Sequence, residues 1–259
     1  MTMIKTRLLP LLGLVMAFTL PLKAQLDCCS PAPLSGPGPI NVPTVAGPGN
    51  DNDNLANGTC LVGGEHDTYY FIFEATSAGT FEMLLTPNNL GADYDFALLA
   101  NACPGNTGSQ QISCNYVGPI NTPPFVPTGI ATNPQASWGI TGAAEWENTV
   151  NLTAGTTYLL ILDNITGNDV GFSLEIGGTA TIAPGDPGGG PDPTIFPAGP
   201  FCPEDPPFQL TANPPGGTWG GDATSTGLFV PANNGPGIHE VTYATPGAIC
   251  PNEATLDIQ

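Results

Sequence analysis

From Leu61 onward, short runs of apolar residues are separated by Gly, Pro and Asn, and the dominant spacing within them is two. Residues 68–76 (TYYFIFEAT) are aromatic and β-branched, and 80–86 (TFEMLLT) follow after a Ser77-Ala78-Gly79 turn. Residues 93–100 (DYDFALLA) and 111–117 (QISCNYV) flank a loop around Pro104-Gly105. Residues 157–163 (TYLLILD) are apolar on both faces, which predicts a central strand. Phe172, Leu174 and Ile176 alternate with Ser173 and Glu175, which predicts a half-exposed one. No segment after residue 24 carries a helical period of useful length. Short strands recurring between Gly, Pro and Asn predict an all-β chain built as a β-sandwich.

The breaks in this pattern divide the chain. Residues 25–59 are rich in Pro, Gly and Asn and read as an extended arm or edge segment. Residues 60–183 form the larger sandwich, with a long Pro-, Gly- and Thr-rich loop at 118–143. Residues 184–193 (PGDPGGGPDP) exclude a regular element and read as a linker. Residues 194–259 then form a smaller module, with strands predicted at 208–212, 228–230, 240–244 and 255–258. The chain stops inside the last of these, which reads as the N-terminal part of a longer protein. Ahead of the arm, Lys5 and Arg7 precede an uncharged apolar run, 8–20, and the small residue Ala24. That run is too short to span a bilayer, so residues 1–24 read as a signal peptide, and no membrane insertion of the mature chain is expected.

Charge changes the picture most. The only basic residues are Lys5, Arg7 and Lys23, and all 22 acidic residues lie after Ala24, so removing the signal takes the formal charge from −19 to −22. Such a surface repels phosphate backbones and anionic membranes, so no nucleic-acid partner is expected. Metal cations and neutral glycans fit better, and much of the acidity serves solubility. Only His66 and His239 can carry positive charge in the mature chain. Neither His begins an HExxH motif and no G-x-S-x-G elbow occurs, so no catalytic residue is expected.

Three groups of residues are candidates for chemistry. The first is acidic. Asp51 and Asp53 alternate with Asn52 and Asn54; Asp93 and Asp95 share one face of a strand; Glu65 and Asp67 have the same spacing of two. Oxygen ligands in such numbers suit calcium. The second is aromatic: Trp138, in the long loop, is the candidate for exposure and glycan stacking, with Trp146, Tyr94 and Tyr116 as weaker members. Trp219 reads as the core tryptophan of the smaller module. The third is the set of seven cysteines, which default to disulfides in an exported chain. The expected pairs are Cys103–Cys114 across the loop between adjacent strands, Cys202–Cys250 within the smaller module, and Cys60 with Cys28 or Cys29.

The pieces YYFIFEATSAGTFEMLLTP, DYDFALLANACPG, ISCNY, NLTAGTTYLLILDN and GFSLEIGGTATI resemble the sandwich domain near the N-terminus of many large secreted Bacteroidota proteins. That module is similar to CUB domains and to bacterial pre-peptidase C-terminal domains, both jelly-roll sandwiches. The pieces GGTWGG, TGLFVP and GPGIHEVTYA resemble the Ig-like or PKD-like repeats of the same proteins. The resemblance implies a jelly-roll-type sandwich followed by an Ig-like one, type IX export and a role in adhesion. It also implies a calcium site at one end of the sandwich, with Glu65, Asp67 and Asp95 as its acids. The functional expectation is a non-catalytic secreted or cell-surface protein whose partner is an extracellular glycan or surface protein. The alternatives are a carbohydrate-binding accessory region of a secreted hydrolase and a structural stalk.

Overall fold

The computed structural model describes residues 24–49, 53–106, 108–116, 127–139, 146–188, 192–246 and 250–259. The signal-peptide reading (apart from Ala24), Asp51, and most of the long loop lie outside these residues.

The chain is nearly all β. It enters through β1 (Ala32–Pro33) and β2 (Ile40–Val42), then makes the long strands β3 (Asp67–Ala75), β4 (Gly79–Pro87) and β5 (Tyr94–Ala100). Next come β6 (Gln110–Asn115), β7 (Thr128–Ile130), the five-residue helix α1 (Pro134–Trp138), β8 (Trp146–Glu147) and β9 (Val150–Leu152). β10 (Thr157–Asn164), β11 (Phe172–Gly178) and β12 (Ile182–Pro184) complete the larger module. One sheet has the order β1-β3-β10-β5-β6, with β12 also on β3; the other has β2-β11-β4-β7-β8, with β9 also on β4. β3, β4, β5, β10 and β11 are split between the two sheets, and β10 sits between β3 and β5. Apart from β5–β6 and β7–β8, sheet neighbours are distant in sequence, as in a jelly-roll-type sandwich.

Period-two alternation sorts the side chains. Phe71, Phe73, Phe96, Leu98, Leu160 and Leu162 meet Phe81, Met83, Leu85, Phe172 and Leu174 between the sheets. The opposite face of the first sheet carries Tyr70, Ile72, Ala97, Leu99, Leu159 and Ile161, and it too is buried, against Leu55, Leu61, Cys28, Cys103 and Cys250. This second apolar layer explains why the 157–163 run has no polar face. It also corrects the arm. Residues 25–59 belong to the sandwich: β1 pairs in parallel with β3, β2 pairs with β11, and Leu26, Leu34, Val42 and Val45 enter the main core. The edge-segment reading of this stretch is therefore the better one. Pro and Gly prevent long strands here, but short edge pairings tolerate them.

The smaller module holds β13 (Thr194–Ile195), β14 (Phe208–Gln209), β15 (Ala212–Asn213), β16 (Thr218–Gly221), β17 (Leu228–Phe229), helix α2 (Pro231–Asn234), β18 (His239–Thr245) and β19 (Asn252–Ile258). Its largest sheet is β16-β18-β19. Ile195, Leu210, Phe229, Val241, Tyr243 and Ile258 form its core, with the partly buried Trp219 packed against it, its ring tilted on Tyr243 at 4.6 Å between ring centroids.

All three expected disulfide pairings are corrected. The bonds are Cys28–Cys103, Cys29–Cys250 and Cys60–Cys114, and Cys202 is a free, exposed thiol. Cys103–Cys114 and Cys202–Cys250 were expected from closeness in sequence or module. The arm instead folds over the outer face of the first sheet and brings Cys28 onto the loop that carries Cys103, while Cys60, just after it, meets Cys114 of β6. Cys29–Cys250 spans 221 residues and fastens the smaller module to the larger. The start of the linker is also fixed: Gly185 donates to the Ile72 carbonyl, and the Pro187 carbonyl accepts from Cys250.

Candidate functional site

At one end of the first sheet, register lines up two polar rows on opposite faces. Thr68, Asp163 and Asp95 are direct cross-strand partners through β10, and so are Asp67, Asn164 and Tyr94. Side chains alternate, so the first row faces outward and the second faces the space between the sheets.

The outward row opens into a cavity of about 180 Å³. Asp95 and Asp163, both buried, line it with His66, Tyr116, Leu61 and Ile165. Like charges directly opposite destabilise a sheet unless they are compensated. Asp163 is held by three donors: the His66 backbone N–H at 3.0 Å, the Thr68 hydroxyl at 2.7 Å and the His66 imidazole Nδ1 at 3.0 Å. Among the described residues, the lining adds the hydroxyl of Tyr116.

The inward row ties loops together. Asp67 accepts from the backbone N–H groups of Gly47 and Asp169 and from the Asn164 amide. Tyr94 donates to the Val170 carbonyl, and burial near Asp67 and Asp163 pushes its phenol pKa up. Beside these rows, Glu65 accepts from the Tyr70 hydroxyl at 2.6 Å and from the Asp53 N–H at 3.0 Å, while Asp53 accepts from the Cys28 N–H. Burial is the main cause that pushes the Glu65 carboxyl up to about 7; its two hydrogen bonds pull it down, and Asp53 and Asp163 add to the rise.

The expected calcium ligands are spread over different faces, although Glu65 and Asp53 are neighbours. Asp95 is opposite Asp163 and in line with Thr68, so it faces away from Asp67. Glu65 precedes β3, so the two-residue spacing to Asp67 carries no shared face. Asp93 lies just before β5, where its carbonyl accepts from Ile165, and Asp53 serves the arm. Among the described residues, the one compact group of metal-ligating types is Cys28, Cys103 and Cys250, which are disulfide-bonded.

Trp138 is half-buried, not an open platform. It ends α1 and lies over Gly177 of β11, where an added Cβ would come within 3.0 Å of the indole. Trp146 lies over Gly129 in the same way. Both indole N–H groups are buried without a hydrogen-bond partner among the described residues. Tyr116 is the partly exposed aromatic, at the cavity rim. Asp163 and Asn164, the hub residues of the two rows, were not singled out in the sequence. Their signal was a charged residue closing an apolar strand, TYLLILDN.

Compared with family models, with curated proteins and with solved structures, the chain matches none. Fold and site define the class: an all-β sandwich protein with three disulfides. Among the described residues no helix is long and apolar enough to cross a membrane. Both features are compatible with an extracellular protein.

Proposed function

We propose that this chain is a secreted, non-catalytic binding and spacing unit of the cell exterior, recognising a neutral glycan or a surface protein. The observation that supports it is the Cys29–Cys250 disulfide, which fastens two β modules into one unit. Disulfides of this kind persist outside the cell, and a fixed pair of modules holds a recognition face at a set distance from its anchor. The use of the carboxylates agrees with the reading. Asp53, Glu65, Asp67 and Asp163 bind backbone N–H groups that pin the arm and loops, which is structural work in a mature chain without Lys or Arg. The export route of the Bacteroidota resemblance belongs to this proposal.

The test presents the purified mature chain to a glycan array and to intact cells, with a panel of ester, peptide and glycoside substrates alongside. Saturable binding without turnover is the expected result. No binding to either target favours the stalk. Turnover that disappears in Asp163→Asn or His66→Gln overturns the proposal in favour of an enzyme. Repeating the binding and a thermal melt in chelator and in millimolar calcium, at fixed ionic strength, separates a calcium-assembled site from the loop-pinning role.

A further inference from the structure

The second apolar layer contains an arrangement of sulfurs that the two disulfides alone do not explain. Cys103 Sγ lies 3.5 Å from Cys250 Sγ, although each is bonded to a different partner. The sulfurs of Cys28, Cys103 and Cys250 all lie within 4.8 Å of one another. Access to the cluster is asymmetric. Cys28, Cys103 and Cys250 are buried, whereas Cys29 is exposed. An external thiolate reaches the cluster at Cys29 first.

We propose that these four cysteines form a disulfide-exchange relay that keeps the smaller module fastened when Cys29 is attacked. The inference rests on the sulfur geometry and not on the adhesion reading. A small monothiolate attacks Cys29 Sγ; a new sulfur–sulfur bond forms to Cys29, the Cys29–Cys250 bond breaks, and Cys250 leaves as thiolate. Released from Cys29, the Cys250 side chain turns into line with the neighbouring disulfide. It attacks Cys103, the Cys103–Cys250 bond forms, and the electron pair leaves on Cys28. One thiolate is consumed and one is produced, so the exchange needs no net oxidant or reductant. The product still joins the smaller module to the larger, now at the β5–β6 loop, and the arm loses its staple to that loop.

The experiment uses the mature chain in a Cys202→Ser background, which removes the one free thiol. The folded protein is incubated with a low concentration of reduced glutathione, quenched in acid, alkylated and cut with pepsin under non-reducing conditions. The expected result is a Cys103–Cys250 cross-link absent from the starting material, with glutathione on Cys29 and the alkyl label on Cys28. A label on Cys250 with Cys28–Cys103 intact overturns the relay. A second variant, Cys29→Ser in the same background, needs no added thiol. It leaves one thiol in the cluster, and the alkyl label is expected to divide between Cys250 and Cys28. Label confined to Cys250 overturns the proposal independently.

Discussion

The two modules solve the same problem with unequal means. The larger has strands of up to nine residues, one core between its sheets, a second layer outside the first sheet, and two disulfides of its own. Among the described residues, the smaller has mostly two-residue strands, a core of six buried apolar side chains, and a cysteine outside any disulfide. Its one covalent fastening is borrowed from the arm of its neighbour. Domains of this size bury too little surface to be secure alone, and staples usually make up the difference. The difference teaches that here the staple joins modules instead of closing one.

Core truncation separates them most strongly. Phe96→Ala, which empties a fully buried site between the sheets, is expected to cost about 3–5 kcal/mol. Because the smaller module leans on the larger, both should unfold earlier in urea. Phe229→Ala should move only the smaller one, followed through Trp219 fluorescence with the other tryptophans replaced. A single common transition in both variants would dissolve the distinction. Next in size is the staple. Cys250→Ser is expected to destabilise the smaller module by about 2–4 kcal/mol and the larger one less. Equal losses in both would show that the disulfide serves the whole chain.

Within the larger module, Asp163→Ala strips the acceptor from the His66 N–H and the buried Thr68 hydroxyl. The expected cost is about 2–3 kcal/mol, and hydrogen exchange at His66 should speed up with it. The smallest effect is electrostatic and its sign is fixed. The Glu65 carboxyl sits near 7 when folded against an ordinary value of 4.5, so the folded state holds the proton more tightly. Stability is then highest below about 4.5 and falls as pH rises through 7. Facing groups are Asp53, Asp163 and Tyr70. Because Glu65 is half exposed, the loss is on the order of 1 kcal/mol. Glu65→Gln should raise the melting temperature at pH 8 and leave it unchanged at pH 4; no difference at pH 8 would remove the burial argument.

Local pattern was enough for the strands, because period-two alternation is written residue by residue: β3, β4, β5, β10 and β11 fall where the apolar runs lie, and Trp219 packs, partly buried, against the core of the smaller module. The excess of 22 acidic over three basic residues, with no Lys or Arg after Lys23, is equally a property of the sequence. Register and long-range closure belong to the tertiary structure. Asp95 meets Asp163, and not Asp67, because β10 inserts between β3 and β5, a choice made by core packing across more than sixty residues. Cys29 meets Cys250 because the arm wraps the outer face of a sheet whose both faces are apolar. Spacing could say that seven cysteines would pair, but pairing depends on which sulfurs the fold brings within bonding distance, and no local rule carries that information across 221 residues.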